Sequence, residues 1–344
     1  YKDIEFEYCI VDEAQYFKNS TTKTAKSVKQ IKAKHFIALT GTPVENSIQE
    51  LWSIFDFVMP GFLGNLSRFT KTYTGRESLL ISKIRPFLLR RTKLELAGEL
   101  PPKIEQLCLC DLSPEQLEMY VKVLDEVRQK VFTVRTRNSS DGDAVRMEVL
   151  VALTRLRQIC NHPGLLYPAM SFEQEVSGKM ELFMELLEES LEGGHKLLVF
   201  SQFVKMLEII RATLDRRRLR YSYLDGKSTS RQAIIDDFNN DEEKRIFLIS
   251  IKAGGFGLNL TSADTVIIFD PWWNPMVEDQ AADRAHRMGQ RKPVNVYRLV
   301  TGATVEEKIQ IVKERKRAIF DAVVGNCTGP EEGLTWEDFL EIIS

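Results

Sequence analysis

The 344-residue sequence lacks the features that mark membrane, secreted and zinc-binding proteins. Its apolar runs are all shorter than the roughly 20 residues that a helix needs to span a bilayer. No signal-peptide pattern is visible. The five cysteines form no Cys-x-x-Cys pair, although Cys108 and Cys110 would share one face of a strand. This pattern favours buried, reduced thiols and a cytoplasmic compartment.

An excess of charge of one sign is also missing, since the formal net charge is −2. Overall charge therefore does not indicate a nucleic-acid-binding protein. The basic residues are instead gathered locally. Two clusters stand out: Arg216, Arg217, Arg218 and Arg220, and Arg284, Arg287, Arg291 and Lys292. With 43% hydrophobic residues, the chain has enough apolar side chains for more than one core.

Strand and helix patterns alternate in two parts of the chain, which predicts an α/β fold with parallel sheets. In the first part, short apolar strands end at Val11 and Leu39, and an amphipathic helix follows Pro43. Between the two parts, residues 94–175 carry apolar residues every three or four positions, which predicts an all-helical insertion. The strands predicted in the second part are Leu197–Phe200, Tyr221–Leu224, Ile246–Ser250, Thr265–Phe269 and Val294–Val300.

Two adjacent carboxylates, Asp12 and Glu13, directly follow the first apolar strand. Because chemistry in α/β proteins is concentrated at the carboxyl ends of strands, this pair suits a magnesium-bound nucleotide. Asp12 would hold the hydrated Mg²⁺, and Glu13 would orient or deprotonate the attacking water. An acidic turn that only ends a strand fits the same two residues.

A Leu-Thr-Gly-Thr-Pro sequence ends the next predicted strand, one helix later, and this strand should lie beside the first one in the sheet, which brings the two motifs close together. Its small residues Thr40, Gly41 and Thr42 could relay the state of a nucleotide to a second binding site. A simple Gly-Pro turn would have the same sequence. The two motifs together, at this spacing, are hard to obtain by chance and favour the functional interpretation.

A glycine-rich sequence, residues 252–260, comes directly after a strand of the second part. Its glycines, among them Gly255 and Gly257, would let backbone N–H groups approach a phosphate closely. A glycine-rich turn alone is a weak signal, so its interpretation depends on the residues that lie downstream of it in the chain.

Three polar residues downstream, Gln280, Arg284 and Arg287, are spaced by four and then three. On a helix this spacing places them on one face. Two guanidinium groups on one face can reach a transferring phosphoryl group, as arginine fingers do. A solvated helix face has the same spacing, but the nearby Pro-Trp-Trp-Asn-Pro sequence is not typical of a surface turn.

Six motifs succeed one another along the chain. They are Asp-Glu-Ala-Gln (12–15), Leu-Thr-Gly-Thr-Pro-Val-Glu-Asn (39–46), Leu-Arg-Gln-Ile-Cys-Asn-His-Pro (156–163), the glycine-rich sequence, Pro-Trp-Trp-Asn-Pro (271–275) and Asp-Arg-Ala-His-Arg-Met-Gly-Gln (283–290). Together they resemble the ordered motifs of the Swi/Snf-type ATPases of helicase superfamily two. The resemblance implies RecA-like lobes that use ATP and Mg²⁺ and move along double-stranded DNA without separating its strands.

The resemblance also implies a division into domains. Residues 1–92 would be the second half of ATPase lobe one, 93–175 a linker with a helical protrusion, 176–316 lobe two, and 317–344 a brace helix with an acidic tail. The compact protrusions favour a prokaryotic member of the family, which would be cytoplasmic and associated with the nucleoid; a eukaryotic member would be nuclear.

By resemblance, five residues should contact the DNA backbone. They are Ser201, Gln202, Lys252, Asn259 and Trp273. Contacts to phosphates position a protein on DNA and carry no sequence information, so binding should not depend on base sequence. Two positions depart from the family pattern: Gln15 stands where His is usual, which could alter coupling to the Thr40 motif, and Ile251 stands where many members have Thr.

The sequence contains no Gly-x-x-x-x-Gly-Lys-[Ser/Thr] motif, the phosphate-binding P-loop. Neither Gly178-Lys179 nor Gly226-Lys227 has the required glycine five residues before it. We therefore expect the P-loop upstream of Tyr1 and expect these 344 residues alone to be inactive as an ATPase.

The sequence leaves two other functions open. An RNA helicase-like ATPase would share the early motifs, but the last two motifs argue against it. A non-catalytic scaffold that binds DNA or a partner would have little need to retain Asp12, Glu13, Arg284 and Arg287 together.

Overall fold

A computed structural model of the protein describes residues 4–17, 22–40, 48–89, 100–137, 142–167, 177–254, 257–273 and 275–324, together with 338, 341 and 342. The strands are β1 (Glu5–Val11), β2 (Lys32–Ala38), β3 (Lys103–Cys110), β4 (Leu197–Ser201), β5 (Tyr221–Leu224), β6 (Ile246–Ser250), β7 (Thr265–Ile268) and β8 (Val294–Thr301). The helices are α1 (Lys23–Val28), α2 (Ile48–Val58), α3 (Leu66–Tyr73), α4 (Glu77–Ile84), α5 (Pro114–Arg137), α6 (Gly142–Asn161), α7 (Gly178–Glu192), α8 (Val204–Arg216), α9 (Arg231–Asn240), α10 (Ile251–Gly254), α11 (Pro275–Ala282) and α12 (Val305–Val324).

The chain divides into two compact units, Tyr1–Arg91 with Glu314–Thr335 and Thr92–Lys313 with Trp336–Ser344. In the first unit β1 and β2 pair in parallel. Helix α2 covers one face of this pair, because its Ile54 and Phe57 share a core with partly buried residues of both strands. On the strands Tyr8, Ile10 and Ile37 remain exposed. This small sheet therefore presents apolar residues to solvent.

The second unit contains a six-stranded sheet with the order β3-β8-β7-β4-β6-β5, in which every pairing is parallel. Its strands from β4 onward begin and end within a residue of the sequence prediction. The predicted α/β class with parallel sheets is therefore confirmed. A parallel sheet places the carboxyl ends of all its strands at one edge, and the segments that follow β4, β6 and β7 leave from this edge.

The central strands of this sheet are buried on both faces. In β4, Leu198 and Phe200 belong to one apolar cluster, and Leu197 and Val199 belong to the other. Helices α7 and α8 contribute to the second cluster, while α9 and α11 contribute to the first. This double burial explains why these strands are continuous apolar runs in the sequence instead of alternating with polar residues.

The prediction that residues 94–175 are all helical is wrong. Helices α5 and α6 form as expected, but Lys103–Cys110 is strand β3, paired in parallel with β8 along its whole length. It is an edge strand on which Ile104, Leu107 and Leu109 are exposed, and Glu105 and Gln106 interrupt its apolar residues. The spacing of Cys108 and Cys110 was its only sign in the sequence.

No helix among the residues that the structure describes is both long and apolar enough to cross a membrane.

The buried side chain of His162, just after α6, should make the stability of this unit depend on pH. The side chain is 3% exposed, and its Nδ1 accepts a hydrogen bond from Gly164 N at 3.0 Å. Burial lowers the pKa of His162 from 6.5 to about 4. The unfolded chain therefore binds more protons than the folded chain between these values, and the free energy of unfolding should fall by up to roughly 3 kcal/mol as the pH drops through this window.

The measurement is the urea midpoint from neutral pH down to about pH 4 for the wild type and for His162→Asn, whose amide oxygen can still accept the bond from Gly164 but does not titrate. The wild type should lose more stability than the variant over this window. Equal losses in the two proteins would contradict the assignment.

Candidate nucleotide and DNA site

The predicted carboxylate pair lies in the turn after β1. The backbone N–H of Glu13 donates a hydrogen bond to Oδ1 of Asp12 at 2.8 Å. Glu13 has a φ of +50°, in the left-handed region that residues other than glycine rarely adopt. Such strained conformations are concentrated at functional sites, where the surrounding structure holds them in place. Asp12 is exposed and Glu13 is half-buried.

The end of β2 lies directly against this turn. Leu39 N donates to Val11 O at 2.8 Å, and Ala14 N donates to Leu39 O at 2.9 Å, so Leu39 is bonded on both sides of the carboxylate pair. Half-buried Thr40 comes next in the chain. The predicted proximity of the two motifs is confirmed. Gly41, Thr42 and the side chain of Gln15 lie outside the described residues.

The chemistry of this turn suits a hydrated magnesium ion. Mg²⁺ prefers oxygen ligands, usually keeps several waters and is commonly bound through one or two carboxylates. The exposed carboxylate of Asp12 is a donor of this kind. In the described parts of the chain, no group of three or more His, Cys, Asp or Glu residues could hold a metal by itself. The donor set thus fits an ion held through few protein ligands, as a nucleotide-bound Mg²⁺ is.

The single helix face predicted for Gln280, Arg284 and Arg287 is wrong. Helix α11 ends at Ala282, and the chain continues in turns, with Arg287 N donating to Ala285 O at 3.2 Å. Arg284 is buried, with 9% of its surface exposed, whereas Arg287 is more accessible. Of the two guanidinium groups, that of Arg287 is therefore better placed to meet a ligand.

Hydrogen bonds tie these turns to the glycine-rich sequence. Arg287 Nη1 donates to Leu258 O at 3.0 Å, and Leu260 N donates to Arg284 O at 3.1 Å. The amide of Gln290 donates to two further carbonyl groups of the same loop, at 3.2 and 2.7 Å. The structure thus brings the candidate arginines and the glycine-rich sequence together. The sequence pattern assigned no role to Gln290, although it ends the last motif.

The glycine-rich sequence is open to solvent at several described positions. Gly257 has a φ of +48°, and nothing lies within 4 Å of where a Cβ would stand. Lys252 and Asn259 are exposed, as a contact to a phosphate backbone requires. Gly255 lies outside the described residues. A cavity of about 370 Å³ separates this loop from α9; its lining residues are Arg231, Gln232, Ile235, Asp236, Asn239, Gly257, Leu258 and Asn259.

Ser201 and Gln202 stand at the carboxyl end of β4, but Ser201 does not face solvent. It is fully buried, and its hydroxyl donates to Oδ1 of Asp270. The backbone N–H of Gln202 also reaches Asp270, at 3.3 and 3.2 Å from the two oxygens. A direct bond from the Ser201 side chain to phosphate does not fit this structure, because the hydroxyl is committed to a buried carboxylate. Asp270 is a residue of this edge that the sequence motifs did not single out.

Trp273, the fifth predicted DNA contact, lies in the loop after β7 and is half-buried. Its ring centroid lies 4.7 Å from Cζ of Arg157, a residue of α6. Ser201 at the end of β4, Lys252 in α10 directly after β6 and Trp273 in the loop after β7 thus all lie at the carboxyl ends of strands of one parallel sheet. Arg287 lies elsewhere, in the turns between α11 and β8.

Comparison with known families places both halves of the chain. Residues 1–165 match the SNF2-related domain, and residues 178–289 match the helicase conserved C-terminal domain.

Three relatives show how far the similarity extends. An uncharacterized ATP-dependent helicase of Mycoplasma pneumoniae is 36% identical over 98% of this chain, which covers 32% of that protein. The solved structure of the Sulfolobus solfataricus SWI2/SNF2 ATPase core in complex with dsDNA is 37% identical, with a TM-score of 0.58, over 99% of this chain and 73% of that one. The C-terminal domain of the Sulfolobus ATPase is 33% identical, with a TM-score of 0.56, over 70% of this chain and 97% of that one. The chain spans about a third of the length of the Mycoplasma relative and of a mouse SWI/SNF-related regulator of chromatin.

Proposed function

The chain belongs to the SWI2/SNF2 family, and we propose that it forms part of an ATP-driven motor that moves along double-stranded DNA without separating the strands. Its first unit supplies the carboxylates for hydrolysis. Its second unit supplies the arginine and the loops that contact the phosphate backbone. The whole protein is, on this proposal, a DNA-dependent ATPase with Mg²⁺ as its cofactor.

One observation carries the proposal: basic, amide and aromatic side chains lie in the segments that follow β6 and β7 of one parallel sheet. Lys252 lies in α10 directly after β6, Asn259 in the loop after α10, and Trp273 in the loop after β7; none of the three is fully buried. The ammonium group of Lys252 and the amide of Asn259 can donate hydrogen bonds to phosphates, and the ring of Trp273 can stack on a base or sugar. A similar solved structure, the Sulfolobus ATPase core, is in complex with dsDNA, which supports the same ligand here.

The geometry of each unit supports the catalytic roles that we propose. Glu13, strained and next to Asp12, would orient or deprotonate the attacking water. Asp12 would hold the hydrated Mg²⁺ that accompanies ATP, and the bound ion would neutralise charge on the phosphates. Arg287 would stabilise the negative charge that develops on the transferring phosphoryl group, with Arg284 supporting the same turn. Gln280, Thr40, Gly41, Thr42 and the glycines 255 and 257 are proposed to bind nucleotide or couple it to DNA.

Binding of duplex DNA by the 344-residue chain should be insensitive to base sequence and should weaken steeply with salt, because the proposed contacts are to phosphates. Fluorescence anisotropy with duplexes of unrelated sequence, across a salt series, measures both properties. Single-stranded DNA and RNA of the same length belong in the same experiment, because tighter binding of RNA would favour an RNA helicase-like function.

A pair of lysine variants makes the test specific to this edge. Lys252→Ala should weaken binding to every duplex alike and lower the salt slope by about one. Lys244→Ala is the matched control, because Lys244 precedes β6 and so lies at the opposite edge of the sheet. Its loss should leave the slope unchanged. Binding confined to one base sequence, or equal effects of the two variants, would overturn the proposed interface.

A further inference from the structure

Helix α6 places a charged side chain inside the protein, at the edge of the sheet that carries the proposed DNA contacts. Arg157 is only 1% exposed, although a buried guanidinium is costly unless its charge and its N–H groups find partners. The neighbouring Arg155, on the same helix, is exposed to solvent. The burial of Arg157 is thus a property of this position and not of the helix.

The partners of Arg157 come from two different loops. Its Nη2 donates a hydrogen bond to the carbonyl of Pro271, and its Cζ lies 4.7 Å from the ring centroid of Trp273, both in the loop after β7. Its Cζ also lies 5.9 Å from the ring centroid of Phe203, in the loop after β4. Strands β4 and β7 are neighbours in the sheet, so one guanidinium lies between the loops that leave them. Both distances are within the range of cation–π attraction.

A fully buried carboxylate completes this arrangement. Asp270 accepts hydrogen bonds from Ser201 and from the backbone of Gln202, which joins the two loops directly. Burial raises the pKa of Asp270, and the positive charge of Arg157 opposes that rise. Arg157 therefore offsets the negative charge of Asp270, donates to the backbone of Pro271 and packs against the rings of Phe203 and Trp273.

We propose that Arg157 is a positioning residue: through Pro271, Trp273 and Phe203 it sets the geometry with which the loops after β4 and β7 meet the phosphate backbone. It does not touch DNA itself, because it is buried. The helical hairpin of α5 and α6 is thereby linked to the DNA-contacting edge. This inference rests on the proposed function for its ligand, duplex DNA, and on the structure alone for the link between Arg157 and Trp273.

The test compares Arg157→Lys with the control Arg155→Lys in the 344-residue chain. Lysine keeps the charge but lacks the planar group that can stack on rings while donating to a carbonyl. Arg157→Lys should weaken duplex binding about tenfold, the scale of coupling within one buried network, while leaving the salt slope unchanged because no phosphate contact is lost. Arg155→Lys should leave affinity unchanged. A reduced salt slope in Arg157→Lys, or equal affinities of the two variants, would overturn the positioning role.

A double-mutant cycle tests whether Arg157 affects DNA binding through the ring of Trp273. In a Trp273→Leu background, Arg157→Lys should cause only a small further loss of affinity, because the ring through which it acts is gone. A loss of the same size as in the wild type would show general destabilisation and would overturn the inference. Phe203→Leu, which removes one ring and keeps the buried charges, should reproduce part of the loss if Arg157→Lys folds poorly.

A readout without DNA separates this inference from the proposed function. The emission of Trp273, obtained as the difference between the wild type and Trp273→Phe, should be quenched more strongly by acrylamide in Arg157→Lys than in Arg155→Lys. If the wild type fails to bind duplex DNA but this change is seen, the proposed function fails and the link stands. If the wild type binds DNA and quenching is the same in both variants, the link itself is refuted.

Discussion

Replacing Arg287 with alanine in the whole protein is expected to lower the DNA-stimulated rate of ATP hydrolysis by roughly 10³–10⁵, the range for loss of an arginine finger. The guanidinium is more accessible than that of Arg284, and its other function is to donate to Leu258 O at 3.0 Å. The variant thus removes transition-state charge stabilisation and one anchor of the glycine-rich loop. Steady-state phosphate release at saturating duplex DNA measures the effect, with duplex affinity and thermal stability recorded beside it.

Arg291→Ala is the matched control. Arg291 lies in the same segment and is exposed, and its bond to Gln290 comes from its backbone N–H at 2.9 Å, which the substitution retains. Its rate should stay near that of the wild type. If Arg287→Ala hydrolysed ATP at a near-normal rate, Arg287 would be only a surface charge.

Changing Glu13 to glutamine should lower hydrolysis by roughly 10²–10⁴ or more, the usual contribution of a general base, while ATP still binds. The amide is nearly the same size as the carboxylate but cannot accept the proton of the attacking water. Asp12 remains in place to hold the metal. Single-turnover hydrolysis and the binding of a fluorescent ATP analogue, both in the whole protein, separate the two effects.

Glu7→Gln is the control for this change. Glu7 lies on β1, the strand that precedes Glu13; it is exposed and pairs with Lys34 at 2.7 Å on the surface. Surface pairs of this kind contribute little to stability, so neither hydrolysis nor binding should change. Turnover that survived in Glu13→Gln would mean that another residue activates the water.

The sequence was informative wherever local pattern and tertiary structure agree. Strands β4, β6 and β7 were predicted because both faces are buried, which requires continuous apolar residues. The proximity of Asp12 and Thr40 was predicted because parallel pairing brings the ends of β1 and β2 together. Lys252, in α10, and Asn259, in the loop that follows it, are exposed, as the predicted contacts to DNA require.

The errors occurred where distant contacts override local spacing. The four-and-three spacing of Gln280, Arg284 and Arg287 suits a helix, but the helix ends before Arg284. Arg284 and Arg287 instead lie in turns that form hydrogen bonds with Leu260 and Leu258 of the glycine-rich sequence. Ser201 was expected at the surface, and nothing in its neighbours indicates that its hydroxyl would pair with Asp270, 69 residues away. The burial of Arg157 is equally invisible in the sequence, because every one of its partners is distant along the chain.

Movement along duplex DNA without strand separation is tested most directly by triplex displacement with the whole protein. The substrate is a duplex that carries a third strand at one end, with both duplex strands labelled separately. We expect ATP-dependent release of the third strand while the two duplex strands stay paired, and we expect Glu13→Gln to release none. Separation of the duplex strands, or release of the third strand without ATP hydrolysis, would contradict the proposed motor.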